Sequence, residues 1–439
     1  MASAGQGGPP PTMEYGGDEV GALVLDPGTE TTRAGFAGED LPKRVIASQY
    51  GYIPPTEEGG EGQYFLDDIN ILRRRGGMEV KWPMQDGIVE DWDGAARVWK
   101  EALVPQLCES LAENPLIVTE PAWNPVKNRE KTTELMFEQF DVPAFYLARS
   151  AVCAAFANGK STCLVVDVGH SNVSVTPVYD GLILKKGTQK TPLGGAFINQ
   201  QCRAIFAQRN PPIDLTPYNL IDKRARVDID EPAHPEMRKF PDQDIPHTAS
   251  WLKWCQDRLV HDFKETIVQT YQQPSGSFSE QHLATQPPRL YEFPTGFNTN
   301  FGSERYKIAE TMFQPTLATI NPDDPLPFDP ATVHSIGQIV KDSLQGIDVD
   351  VRQAVLANIV VVGGGSLLFG FTDRLQNELQ SLYPTVRVKI YASMHAAERK
   401  YAGFLGGSIL ASLGTFHQLW ISRREYDEHG AGIVEKRCK

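Results

Sequence analysis

Two short stretches carry the residue types that could handle phosphate. "LVLDPGTETTR", residues 23–33, and "LVVDVGHSNVSV", residues 164–175, share one plan: apolar residues, Asp, one residue, Gly, then a second run with strand character. A tight Asp-x-Gly turn between strands can wrap its backbone N–H groups round an anion. One such turn is common in any hairpin. Two matched copies, with Asp26 and Asp167 about 140 positions apart, suggest a ligand cleft between two related lobes. "NIVVVGGGSLLFGFTDRLQNELQSLY", residues 358–383, adds a buried strand ending at Val362, the run Gly363, Gly364 and Gly365, and a helix with Phe371, Leu375, Leu379 and Leu382 on one stripe. Glycines there let the backbone approach a ligand, and a helix start favours negative charge. The spacing is neither G-x-G-x-x-G nor G-x-x-x-x-G-K-[ST], which excludes the dinucleotide fingerprint and the Walker loop.

The elements that must position these turns follow from the rest of the chain. At 439 residues, two or more lobes are expected. Periodicity predicts helices over 128–140 (Leu135, Met136 and Phe140 inward), over 331–345 (Val333, Ile336, Ile339, Val340 and Leu344 on one face) and over 403–413, where Gly406, Gly407 and Ala411 allow close packing. Residues 208–247, with seven prolines, and 321–331, with four, read as surface loops. Residues 1–17 are Gly- and Pro-rich with no apolar stretch to serve as a signal peptide, and read as a disordered tail. No apolar run spans a membrane. Six cysteines without a C-x-x-C pair read as reduced, buried thiols, and the nine histidines show no metal-ligand spacing. Net charge is −13, a poor footing for DNA phosphates, so the run Arg73, Arg74, Arg75 reads as a solvated loop.

The three elements, in this order, resemble the actin fold shared by actin, sugar kinases and Hsp70 ATPase domains. "RAGFAGED", "DGIVEDWD", "NPVKNREKTTELMFEQF", "GSERYKIAETMFQP" and "GGSILASLGTFHQLWISRREYDE" are close to actin's own wording, from about residue 18 to the C-terminus. "YGGDEVGALV" and "YEFPTGFNTNFGSERYKI" resemble the nuclear actin-related proteins of class four, the BAF actin-like type. The resemblance implies an α/β chain with two lobes of duplicated architecture and four subdomains round a nucleotide cleft. Residues 18–157 plus 402–439 would form the small lobe, with 48–86 as an altered filament-loop subdomain. Residues 158–401 would form the large lobe, with 194–320 as its outer subdomain and 208–247 inserted there. It also implies ATP as ligand, with Mg²⁺ possible. The implied partners are monomeric nuclear actin and the helicase-SANT-associated helix of a remodeller or acetyltransferase scaffold, with contact to histones. Transcription and DNA repair in the nucleus would be the setting.

Carried over residue by residue, Asp26 and Asp167 match the aspartates that hold Mg²⁺ through waters. Gly28 and Thr29 match the first phosphate turn and Gly169 the second. Arg33 stands where actin has a phosphate-facing lysine; its planar fork is not a lysine's point charge. Lys264 and Glu265 match the pair beside adenine and ribose, Gly364, Gly365 and Leu368 the turn under the base, and Lys400 a lysine flanking adenine. Ala148, Ile421 and Phe369 are candidates for the wall of a partner-helix groove or, equally, for core.

The departures bear on turnover. Hydrolysis needs a positioned water more than covalent chemistry. Ser150 falls where actin's water-orienting glutamine stands, and is too short for that reach. His170 falls where a second aspartate stands, and a neutral imidazole is no carboxylate. Glu30 replaces a glycine and brings an anion near the phosphates. The expectation is a non-enzymatic nucleotide binder that hydrolyses ATP little or not at all, the alternative being a slow ATPase switch. The rebuilt stretches "GYIPPTEEGGEGQYFLDDINILRRRGGM" and "NPDDPLPFDP" lead us to expect no filament from this chain alone.

Overall fold

The computed structural model describes residues 21–55, 60–241 and 244–439. The tail expected at 1–17 lies outside them. Two sheets of one plan form the centre. In the first, strands Leu23–Pro27 and Thr31–Phe36 make an antiparallel hairpin that sets Asp26 opposite Arg33. Arg44–Ala47 lies beyond the second strand; Leu116–Glu120 and then Ala144–Arg149 add in parallel beside the first, and Ile421–Ser422 closes the edge. In the second, Cys163–Val168 and Val173–Tyr179 make the same hairpin, with Gln189–Thr191 and Leu182–Ile183 beyond it. Ile359–Val362 and Ile390–Tyr391 add in parallel on the far side. The repeat seen in two turns is therefore a repeat of whole sheets.

Each sheet is covered on both faces, which is why its strands are nearly continuous apolar runs. Leu23 and Leu25 face Val98, Trp99 and Leu103 of helix Trp92–Leu107, together with Phe137 and Phe145. Leu164, Val166 and Val168 face Phe197 and Ile198 of helix Gly195–Gln208, Phe263 of Ala249–Ile267, Ile339 of Ile336–Gln345 and Leu375 of Phe371–Leu382. On the opposite faces lie two short helices, Ser150–Ala157 and Ala402–Ser412. Val24 and Ile117 of one sheet and Val165, Val360 and Val362 of the other both pack on this pair, so it joins the lobes. The small residues expected to allow close packing do so here. A Cβ on Gly406 would stand 1.8 Å from the Cys153 carbonyl oxygen, so only glycine lets the helices approach this far.

The outer ends of the lobes also meet. A three-stranded sheet, Tyr50–Ile53, Gln63–Phe65 and Glu79–Lys81, leans on the start of helix Ala249–Ile267. Ala47, Ile71, Met78 and Val80 form one cluster with Trp251, Trp254 and Cys255. The Trp251 indole N–H donates to the Ile71 carbonyl at 2.8 Å. The cleft is thus roofed over.

Several expectations shift at the boundaries. The helix read at 128–140 is α-helical over Val126–Glu134 and widens to a π-turn over Leu135–Gln139. The one read at 331–345 begins at Ile336, because Ser335 caps it by accepting from the Gln338 N–H at 3.3 Å; Val333 packs from the preceding loop. Leu382 is exposed rather than part of the buried stripe. The 208–247 loop holds a short hairpin, Ile221–Lys223 with Glu236–Met237, and buries Leu220 against the tryptophan cluster. In 321–331, Phe328 packs on Phe197 at 5.6 Å between ring centroids. All six cysteines are free, and five are buried. Among the described residues no helix is long and apolar enough to cross a membrane.

Candidate functional site

The two hairpin turns face each other across the cleft. Each closes with the same bond: the Gly28 N–H donates to the Thr31 carbonyl at 3.1 Å, and the Gly169 N–H to the Asn172 carbonyl at 2.9 Å. That closure turns other N–H groups outward. Those of Thr29 and Glu30 in the first turn, and of His170 and Ser171 in the second, donate to no acceptor among the described residues. Side chains bridge the same gap. Thr29 Oγ1 lies 3.2 Å from Ser171 Oγ, and His170 Nε2 lies 3.4 Å from Glu30 Oε2. Two turns with four outward N–H groups form a concave donor surface fitted to a chain of phosphates.

Behind the turns sit the two aspartates. Asp26 accepts from the Thr119 hydroxyl and from Arg33 Nη1 at 3.0 Å. Arg33 also donates to Thr31 Oγ1 at 2.9 Å and lies over the Tyr401 ring. The Arg33 fork thus rests on Asp26, where its charge neutralises a carboxylate. Asp167 has no donor on its carboxylate among the described residues. Burial, with Asp26 beside it and only Arg33 to offset them, pushes its pKa up to about 6. An unpartnered carboxylate held against another suits a hydrated divalent cation, which neutralises both while keeping its waters. No cluster of three or more acidic, His or Cys ligands occurs among the described residues. Asp26 and Asp167 would therefore hold Mg²⁺ through its water shell.

Two glycines not among the expected ligand-contacting residues make room for these carboxylates. A Cβ on Gly403 would lie 2.9 Å from Asp26 Oδ1, and one on Gly363 (φ +87°) 2.4 Å from Asp167 Oδ1. Gly363 was legible as part of a glycine run. Gly403 was not, because its neighbour is remote in sequence.

The large-lobe wall gathers most of the other expected residues. Helix Gly195–Gln208 begins against the second turn, where the Gly195 N–H donates to the Gly169 carbonyl and the Ala196 N–H to His170. Lys264 is buried there, with Nζ 3.3 Å from the Gly195 carbonyl oxygen, and burial lowers its pKa. Glu265 pairs with His261 at 3.0 Å; this bond, with Lys400 and Lys264 adding, holds its pKa low. Gly365 packs on Val168, whereas Gly364 meets only the Lys400 stem, at 3.8 Å from a notional Cβ. The result is an open patch at Gly364 beside Lys400, whose charge reaches Glu265, with Leu368 buried at its end. Such a patch suits a planar base.

The positions that depart from actin's wording are placed as follows. His170 is partly buried, and burial lowers its pKa, so the imidazole is neutral at pH 7. Glu30 accepts from Gln49 Nε2 at 3.1 Å through the same oxygen that faces His170. Ser150 opens the joining helix and makes no side-chain hydrogen bond among the described residues. Beside it, Arg149 pairs with the buried Glu120 at 2.9 Å. Of the three residues left open between groove wall and core, Ala148 and Ile421 are core, while Phe369 is 66% exposed.

The sequence model of the family described as Actin matches residues 17–439. The chain belongs to the actin family. Within it, this actin-family chain is 44% identical over 472 aligned positions to Actin-related protein 4 of Emericella nidulans, covering 98% of this chain and 99% of that protein. It is 40% identical to Actin-related protein 4 of Schizosaccharomyces pombe, over 97% of this chain and 99% of the other. It is 37% identical to the "SWI/SNF and RSC complexes subunit arp42" of the same yeast, over 96% and 100%. These likenesses place the chain among the class-four actin-related proteins.

Proposed function

We propose that this chain is a nuclear actin-related subunit of chromatin-remodelling and histone acetyltransferase complexes that holds Mg·ATP as a structural ligand with little or no hydrolysis. The single observation that carries nucleotide binding is the pair of apposed turns with four outward N–H groups above two carboxylates. ATP would lie with its phosphates between the turns and its base on the Gly364–Leu368 patch. Bound Mg²⁺ would offset phosphate charge; the chain's own part is to position and enclose. Loss of hydrolysis is supported by the neutral His170 and the short Ser150, which put neither a carboxylate nor a long amide at those two positions to orient a water. The roof of Trp251 and Trp254 supports slow release.

Membership of a remodelling complex rests on the relatives, one of which carries that role in its name. Pairing with monomeric actin on a helicase-SANT-associated helix, and contact with histones, extend the same reading. Filament growth is disfavoured because the filament-loop region, residues 48–86, commits Ile71, Met78 and Val80 to a cluster with Trp251 and Trp254 of the other lobe. The decisive test is to denature purified protein and identify the released nucleotide, before and after long incubation with Mg·ATP. ATP that stays ATP supports the proposal. ADP formed during incubation favours the slow-ATPase switch, and no nucleotide removes the site. Sedimentable polymer in actin-polymerising salt would contradict the non-filamentous reading.

A further inference from the structure

The first phosphate turn is held from behind by two buried residues outside it. Ser48 and Gln49 are each 1% exposed and follow the strand Arg44–Ala47. Between them they satisfy three successive carbonyls of the turn. Ser48 Oγ donates to the Gly28 carbonyl at 2.6 Å, Gln49 Nε2 to the Thr29 carbonyl at 3.2 Å, and the Ser48 N–H to the Glu30 carbonyl at 3.0 Å. In a planar trans peptide the C=O and the following N–H point opposite ways. Holding back the Gly28 and Thr29 carbonyls therefore turns the Thr29 and Glu30 N–H groups outward. Gln49 also reaches further. Its Nε2 donates to Glu30 Oε2 at 3.1 Å, the oxygen that lies 3.4 Å from His170 Nε2 on the second turn. Its Oε1 accepts from the Trp254 indole N–H at 3.4 Å. Trp254 belongs to the large-lobe helix Ala249–Ile267 and to the cluster that roofs the cleft. The amide fits only this way round: reversed, its oxygen would meet a carbonyl and a carboxylate, and its NH₂ an indole N–H. One buried side chain thus joins the roof to the first turn and, through Glu30, to the second.

We propose that Gln49 is a positioning residue that couples closure of the roof to the phosphate-binding shape of the first turn, so that nucleotide is held tightly only while Trp254 is seated. This inference rests on the nucleotide reading given above. Trp254 fixes the plane of the Gln49 amide, and the fixed amide holds the Thr29 carbonyl back. When the roof lifts, Gln49 loses the indole donor, its amide turns, and the Thr29–Glu30 peptide swings its N–H off the phosphate. By linkage, bound phosphate favours the closed roof by the same factor. Packing alone does not call for an amide here, because an apolar side chain fills a buried site without polar groups to satisfy.

The test is a cycle on the full chain: Gln49→Met, which keeps the volume and removes the amide, Trp254→Phe, which removes the indole N–H, and the two together. Two quantities are followed. One is release of a fluorescent ATP analogue. The other, in the ligand-free chain, is exchange of the Gly28 amide hydrogen, whose bond to the Thr31 carbonyl closes the turn. Gln49→Met should speed both at least about tenfold and Trp254→Phe about threefold, while adding Trp254→Phe to Gln49→Met should change either by less than about 1.5-fold. A packing effect of the smaller ring would instead appear equally in both backgrounds. Exchange in the large-lobe helix Ile336–Gln345 should stay at the wild-type rate in every variant, which verifies the fold. Effects that multiply in the double variant overturn the proposal. So does faster exchange spread evenly over both lobes, which marks general loosening. If Gln49→Met does not fold, Trp254→Phe alone decides, because a change made in one lobe is read at Gly28 in the other; an unmoved Gly28 amide there overturns the coupling. If wild type binds no analogue, the nucleotide reading falls, and the exchange measurements still decide the role of Gln49.

Discussion

Replacing Asp167 by Asn should stabilise the ligand-free protein, a result opposite to the usual effect of removing a buried charge. The carboxyl sits beside Asp26, has no donor of its own, and has its pKa raised from 3.8 to about 6. Below pH 3.8 it is protonated both folded and unfolded, and contributes nothing to pH dependence. Between 3.8 and about 6 the folded state holds the proton more tightly, so stability falls as pH rises through this window. Above about 6 the loss is complete. The full difference corresponds to about 3 kcal/mol, but the side chain is only partly buried, which reduces it to about 1–2 kcal/mol. Urea midpoints of the two proteins, followed by tryptophan fluorescence from pH 4 to 8, should converge near pH 4. By pH 7.5 the variant should be ahead by about 1–2 kcal/mol. Mg·ATP should then reverse the order, because only wild type gains the cation's neutralising charge. Asp26→Asn is the internal control: Asp26 is bonded to Arg33 and Thr119, so its loss should destabilise at neutral pH. An Asp167→Asn variant no more stable than wild type at pH 7.5 would refute this electrostatic account of the site.

Other perturbations separate the seams that hold the lobes together. Trp251→Ala removes a buried indole and its bond to the Ile71 carbonyl, a loss of about 3–5 kcal/mol in core packing, and should speed release of a fluorescent ATP analogue more than tenfold. Asp86→Ala cuts an exposed contact to Lys190 and a part-buried one from Asn172 Nδ2 (2.7 Å), so the same assay should show a change of no more than about fivefold. Gly406→Val drives a methyl-bearing carbon into the Cys153 carbonyl and should lower stability by about 3 kcal/mol or more, against less than about 1.5 kcal/mol for Gly407→Ala, whose Cβ meets Val24 Cγ1 at 3.2 Å and Thr119 Cγ2 at 3.8 Å. Ser150→Gln with His170→Asp should raise phosphate release at least tenfold over the parent chain, while either change alone gives little; a double variant as inert as the parent would locate the block elsewhere.

The sequence by itself determined the elements that are local. The two Asp-x-Gly hairpins, the strand running into Gly363 and the small-residue helix all depend on residues within a few positions of one another, so period and turn chemistry reveal them. It also determined the family, since long stretches of wording are shared. What only the tertiary structure decided are pairings between remote segments. Gly403 clearing space for the Asp26 carboxylate, and Gly363 doing so for Asp167, depend on strands and helices meeting across the fold. Ala148 and Ile421 looked as fit for a groove as for a core, because an apolar residue does not say what covers it; the sheet's helices do. Arg73, Arg74 and Arg75 read as a solvated run until Arg238, Phe240 and Ile245 came to face them from the other lobe. Charge and hydrophobicity are written in the chain, but their partners are chosen by the packing of segments far apart in it.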